Sequence, residues 1–240
     1  MLLPALRTEV LEANLELVRR GLVLYTFGNA SGVDRERGLV VIKPSGVPYN
    51  ELRPEHMVVT DLNGHRVEGD LRPSSDLDTH TLLYRELPAI GAVVHTHSEF
   101  ATSFAQAGLP IPALGTTHAD FFHGPVPVTE PLPEEAIGDR LHDRYVHETG
   151  VAIVRRFQGK TGHGPLDPLA VPACLVAGHA PFVWGRTPQE AVHNAVVLEF
   201  IAKMAYRTLT LKADANVVTQ ALLDRHYFRK HGADATYGQH

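Results

Sequence analysis

The chain has one cysteine, Cys174, in 240 residues, so no intrachain disulfide can brace it. A reducing cytoplasm is the natural reading of that shortage. Long apolar runs are missing as well: nothing approaches the roughly 20 residues that span a bilayer. The opening Met1-Leu2-Leu3-Pro4 leads straight into a charged amphipathic segment. It lacks the basic region, apolar run and small-residue cleavage site of a signal peptide. Basic charge is also short, with 22 Lys and Arg against 27 Asp and Glu and a net charge of -5. That balance argues against a nucleic-acid partner, which calls for a basic surface. There is no internal repeat, no P-loop and no dinucleotide fingerprint.

What is present suits one globular domain over residues 1–240. Hydrophobic residues make up 44% and charged residues 20%, enough for a real core. Fifteen histidines are the anomaly, and histidine is the commonest metal ligand. Some are bland: His142 and His147 lie on a polar helix, His193 on a long one, and His240 ends the chain.

Apolar spacing predicts a helix over 5–20 stopped by Gly21, then a strand over 22–27 and a polar loop over 28–32. Further strands are expected at 39–42, 57–61 and 65–68, the last two joined by a turn at Asn63-Gly64. A helix is expected from Pro73 to about Leu87, a strand over 92–97 and a helix over 98–107. Next come a strand at 125–129, a helix at 134–149 and a strand at 151–156. A strand pair at 172–176 and 180–184 precedes a long helix from Pro188 to about Leu209. Hairpins mixed with helical connections predict a mixed α/β fold, its central sheet mostly antiparallel and flanked by helices on both faces.

Two groups of residues carry chemistry. On a strand, His95 and His97 point to one face and can grip one cation. His179 sits between two apolar strands, and Asp76 at a helix start could add an oxygen. Three histidines with an open fourth position form the pattern of catalytic zinc; structural zinc favours cysteine. Three polar loops could hold an anion: Gly28-Asn29-Ala30-Ser31, Lys43-Pro44-Ser45-Gly46 and Ser74-Ser75. The third opens a helix, where free N–H groups favour phosphate, and Lys43 would add a point charge. Each loop alone also reads as ordinary turn or capping chemistry.

Together these stretches resemble the class II aldolase and adducin-head family over nearly the whole chain. The likeness runs through Gly28-Asn29, Val41-Ile-Lys-Pro-Ser-Gly46, Pro73-Ser-Ser-Asp76, Val94-His-Thr-His97 and Gly115-Thr-Thr-His-Ala-Asp120. It continues in Glu148-Thr-Gly150, Pro181-Phe182, Trp184-Gly185, His226-Tyr227 and Tyr237-Gly-Gln239. Asp120, His226 and Tyr237 make it most similar to the branch that epimerises L-ribulose 5-phosphate at C4.

The resemblance implies zinc on His95, His97 and His179, with Asp76 as a further ligand and Mn2+ or Co2+ as alternatives. It implies phosphate on Asn29, Lys43, Gly46, Ser74 and Ser75, and Asp120 with Tyr237 as an acid/base pair. His226 and Arg229 would support that pair from a neighbouring subunit of a C4-type homotetramer. The pathway implied is pentose catabolism, L-arabinose in particular. One departure stands out: Ala177 occupies a place where that branch has a histidine, two residues before His179. The rival readings are a sugar-phosphate aldolase of the L-fuculose type and a non-catalytic module like the adducin head.

Overall fold

Pro4 opens the first helix, α1 (Pro4–Arg19), where a residue without an N–H costs little. The computed structural model describes residues 1–138, 143–231 and 235–237. Val10, Leu11, Asn14 and Leu17 face inward at helical spacing. Gly21, at φ 68°, closes the helix: its N–H reaches Val18 O at 2.9 Å and that of Leu22 reaches Leu17 O at 2.9 Å.

The strand expected over 22–27 does not form. Leu22 and Val23 bury, but Leu24, Tyr25 and Phe27 are exposed in a turn closed by Phe27 N–H on Leu24 O. The strand comes next, β1 (Asn29–Asp34), in the stretch read as a loop. Its Asn, Ala, Ser and Gly have little strand preference of their own. Their small size suits the position, because helices press on both faces. A Cβ on Gly32 would fall 2.9 Å from Leu6 Cδ1 and 3.3 Å from Pro188 Cγ.

β2 (Leu39–Ile42), β3 (Val58–Asp61) and β4 (Arg66–Glu68) follow as a meander. The turn at Asn63-Gly64 forms as expected, with Gly64 at φ 85°. Then come α2 (Leu77–Glu86), β5 (Ala92–His95), α3 (Glu99–Gln106), α4 (Thr116–Ala119) and α5 (Glu134–Ile137). α6 (Asp143–Phe157), β6 (Ala173–Leu175), β7 (Pro181–Gly185), α7 (Pro188–Leu211) and α8 (Gln220–His231) complete the described elements.

The seven strands pair antiparallel in the order β4-β3-β2-β1-β5-β7-β6. α1 and α7 cover one face, where Gly32 points. α2 covers the other, its His80 and Tyr84 both on the Ser31 hydroxyl, and α6 packs on α2. The expected antiparallel sheet with helices on both faces is therefore what the chain forms. Val40, Val93, Phe182 and Trp184 are among its fully buried residues.

The segment 151–156 is helix, not strand. Its β-branched run misled, but Val146, Gly150, Ile153 and Phe157 are buried at helical spacing. A Cβ on Gly150 would lie 2.7 Å from Leu82 Cδ2, which shows how closely α6 meets α2. The helix expected over 134–149 is two helices, and residues 139–142 between them lie outside the described residues, as do His142 and His240. At 125–129 there are only isolated bridges, Val126 with Ile111 and Val128 with Leu175. α4 and α8 were not foreseen. No helix among the described residues is long and apolar enough to cross a membrane.

Candidate active site

The register of three strands builds the site. Asn29 pairs with His95 across β1 and β5, and His95 with Phe182 across β5 and β7. The His95 ring stacks on Phe182 at 4.2 Å and 15°. His95 Nδ1 lies 2.9 Å from Pro181 O and, facing a carbonyl, must be the N–H donor. In the neutral ring that tautomer puts the lone pair on Nε2, the arrangement of a metal-binding imidazole.

The ladder of β5 ends at His95, so His97 is not a strand residue as expected. It still reaches the same place: its Nε2 is 3.2 Å from His95 Nε2. His179 arrives from the turn between β6 and β7, where Gly178 takes φ 70°. The ligand nitrogens of His95, His97 and His179 all lie within 4.8 Å of one another. Zn–N bonds of about 2.0–2.1 Å in a tetrahedron set nitrogens about 3.3 Å apart, so this donor set fits a divalent ion. Burial, then the neighbouring imidazoles, pushes His179 down to about 4, so it is neutral and able to ligate at pH 7. His97 is lowered for the same reasons.

Asp76 stands beside the three rings rather than in their cluster. Its Oδ2 accepts from Asn29 Nδ2 at 2.6 Å. Burial raises its carboxyl, but the charges of His95 and His80 and the Asn29 hydrogen bond outweigh that and leave it below the usual carboxylate range. Ala177 offers His179 no polar contact. Tyr145 on α6 does, its hydroxyl 3.1 Å from His179 Nδ1, which leaves His179 Nε2 for an ion. The sequence reading missed Tyr145, since nothing local marks a tyrosine that meets a histidine 34 residues on.

The expected anion loops meet on the other side of the same cleft. Ser74 N–H donates to Lys43 O and Ser45 N–H to Arg72 O, both at 2.9 Å, so the loops after β2 and before α2 are tied together. The Tyr49 hydroxyl donates to Phe27 O at 2.8 Å and lies 2.9 Å from Gly28 O, which binds the third loop to them. Gly28 takes φ 73° and lies so close to the β5 end that a Cβ would sit 2.8 Å from His95 O. Lys43 is 2% exposed. Its Nζ lies 4.8 Å from the Tyr49 ring centre and 3.2 Å from Pro44 O, with no carboxylate partner among the described residues. Burial lowers it to about 8. The cleft, about 460 Å³, is lined by Asn29, Lys43, Gly46, Ser74, Ser75, Asp76, Tyr145 and the three histidines.

Asp120, His226, Arg229 and Tyr237 do not line it. They form a second group, built on α4, α8 and the segment after α8. The Asp120 carboxylate accepts from His226 Nδ1 at 2.9 Å and from Arg229 Nη2 at 2.9 and 3.0 Å, and Lys230 Nζ lies 3.5 Å away. Burial raises this carboxyl, while His226, Arg229 and Lys230 lower it further, and it stays ionised. Tyr237 N–H donates to Arg229 O at 3.1 Å, and Lys230 Nζ lies 4.3 Å from the Tyr237 ring centre.

A family model described as Class II Aldolase and Adducin N-terminal domain matches residues 8–206. The chain belongs to that family. Among solved structures it is similar to an L-fuculose 1-phosphate aldolase, with a TM-score of 0.74 and 25% identity over 92% of this chain and 94% of the other. YgbL of Klebsiella pneumoniae, a candidate aldolase/epimerase/decarboxylase, gives 0.69 and 26% over 92% and 97%. The l-fuculose-1-phosphate aldolase of Thermus Thermophilus gives 0.64 and 22% over 87% and 97%, a likeness of fold. Enzymes of this family typically depend on a divalent metal, which agrees with the three-histidine cluster.

Two outcomes follow from this geometry. Removing the Tyr145 hydroxyl in Tyr145→Phe weakens zinc binding roughly tenfold, the lower end for a group that orients a ligand. Competition with a chelating dye reads this, and wild-type affinity would show that the contact does nothing for the site. Lys43 is charged below about pH 8 and neutral above it. Sulfate, a tetrahedral anion that does not itself titrate in this range, should therefore bind roughly tenfold more weakly at pH 9 than at pH 7 by calorimetry. Lys43→Met flattens that dependence; the same slope in both proteins would separate Lys43 from the anion.

Proposed function

We propose that the protein interconverts L-ribulose 5-phosphate and D-xylulose 5-phosphate, breaking and re-forming the C3–C4 bond. What supports this reading is a second group of proton-transfer residues around Asp120, apart from a cleft that joins three imidazoles to the expected anion loops. An aldolase needs a proton donor or acceptor on one face of the aldehyde. An epimerase needs one on each face.

His95, His97 and His179 would hold the metal, zinc before Mn2+ or Co2+, with Asp76 adding a carboxylate at its edge. When bound, the ion supplies Lewis-acid stabilisation of the negative charge that develops on the substrate's oxygens. Asn29, Lys43, Gly46, Ser74 and Ser75 hold the phosphate, with Lys43 as the point charge.

The C4 hydroxyl loses its proton to one acid/base group while the C3–C4 electron pair stays with the three-carbon fragment. The two-carbon aldehyde, anchored by its phosphate, turns its other face. The electron pair re-adds to C4, and the second group returns a proton to the C4 oxygen. Asp120, held ionised by His226 and Arg229, is the acceptor in one direction and the Tyr237 hydroxyl the donor; the roles exchange in reverse. Because this group does not line the cleft of its own chain, we place it in the cleft of the next subunit of a homotetramer.

The likeness to L-fuculose 1-phosphate aldolase favours a second reading, a sugar-phosphate aldolase that releases its fragments. A non-catalytic module would have no use for the Asp120 group. The discriminating assay incubates zinc-loaded protein with L-ribulose 5-phosphate and follows both D-xylulose 5-phosphate and free glycolaldehyde phosphate. The epimer without free aldehyde is expected, and Tyr237→Phe should lower turnover roughly 10²–10⁴-fold with zinc content intact. Released aldehyde, no reaction, or an unimpaired Tyr237→Phe protein would count against the epimerase.

A further inference from the structure

Behind the cleft, β1 and α2 meet through a row of polar contacts. Asn29 and Ser31 lie two apart on β1 and share one face of the sheet. Asp76, His80 and Tyr84 lie four apart along α2 and share one side of it. Asn29 Nδ2 donates to Asp76 Oδ2 at 2.6 Å, and Ser31 Oγ lies 2.7 Å from both His80 Nδ1 and the Tyr84 hydroxyl. His80 is 0% exposed. Two buried atoms in this row have no hydrogen-bond partner among the described residues: Asn29 Oδ1 and His80 Nε2.

Counting protons gives the row a direction. Ser31 and Tyr84 each carry one hydroxyl proton. If Tyr84 donates to Ser31 and Ser31 to His80 Nδ1, both protons are used and the imidazole proton sits on Nε2. The reverse leaves the Tyr84 proton needing another buried acceptor. Among the described residues the fully buried Tyr84 hydroxyl has a hydrogen bond with Ser31 alone, so no such acceptor is at hand. The Nε2–H must therefore find an acceptor. Asp76, one helical turn away, is the larger of the two charges acting on His80. A water that accepts from His80 and donates to Asn29 Oδ1 and Asp76 makes three hydrogen bonds, the usual number for a buried water.

We propose that His80 is a positioning residue: through one buried water shared with Asn29, its Nε2–H holds the Asp76 carboxylate in place beside the three imidazoles. Tyr84 and Ser31 fix the tautomer that makes this possible. The assignment rests on the reading that Asp76 serves the chemistry of the cleft.

Nitrogen-15 NMR of the histidine-labelled wild-type protein tests the tautomer without substrate. The expected state of His80 is neutral with the proton on Nε2; a proton on Nδ1 would overturn the proposal. His80→Phe keeps a ring against Phe182 and removes the donor, while His80→Gln retains one. At saturating zinc, turnover of L-ribulose 5-phosphate should fall roughly 10–100-fold in His80→Phe, mainly in kcat, with most of it restored in His80→Gln. The losses in Asp76→Asn and His80→Phe should not add in the double variant, because both act through one carboxylate. Additive losses, or equal losses in Phe and Gln, would leave His80 a packing residue. Wild-type turnover in Asp76→Asn would sink the role given to Asp76. Wild-type turnover in His80→Phe beside an impaired Asp76→Asn would sink only the role given to His80.

Discussion

The antiparallel register of β1, β5 and β7 sets Asn29, His95 and Phe182 side by side, and the rest of the site hangs on that row. Phe182 gives the His95 ring a face to lie on, and the Pro181 carbonyl fixes which nitrogen carries the proton. A slip of one residue in either pairing would turn His95 to the opposite face of the sheet, away from Asp76 and α2. Gly28 guards the register at the edge of the row. It turns the chain into β1 where any side chain would strike the His95 carbonyl.

Electrostatics sets the two groups of polar residues apart. The cleft gathers three imidazoles and one buried lysine without a carboxylate partner among the described residues, a setting that favours an added cation and an added anion together. The Asp120 group is the opposite case: a carboxylate already surrounded by His226, Arg229 and Lys230, with little left to satisfy. The first needs ligands to be complete; the second is complete in itself and suited to being presented elsewhere. In the proposed homotetramer the second group would meet the first across a subunit boundary.

Local chemistry was legible in the sequence and long-range packing was not. The His95–His97 pair, the serine pair, Lys43 and the Asn63-Gly64 turn each stand out within a few residues, and the fold brings the first three into one cleft. β1 could not, because the helices on both its faces call for Asn, Ala, Ser and Gly in place of branched side chains. α6 hid behind Val151, Ile153 and Val154, whose strand preference yields to a helical row against α2. α8 buries only Leu223 and Tyr227, too narrow an apolar face to be seen as a helix. Tyr145 and His80 escaped notice because their partners, His179 and Ser31, are distant in the chain and close only in the fold.

The account's central claim is that His95, His97 and His179 form a metal seat beside an anion cradle. Anomalous diffraction at the zinc edge, from crystals grown with zinc and inorganic phosphate, tests it most directly. The account predicts a zinc peak bonded to Nε2 of all three histidines, with phosphate in the same cleft against Lys43, Ser74 and Ser75. Zinc bound elsewhere, or phosphate away from those loops, would contradict it.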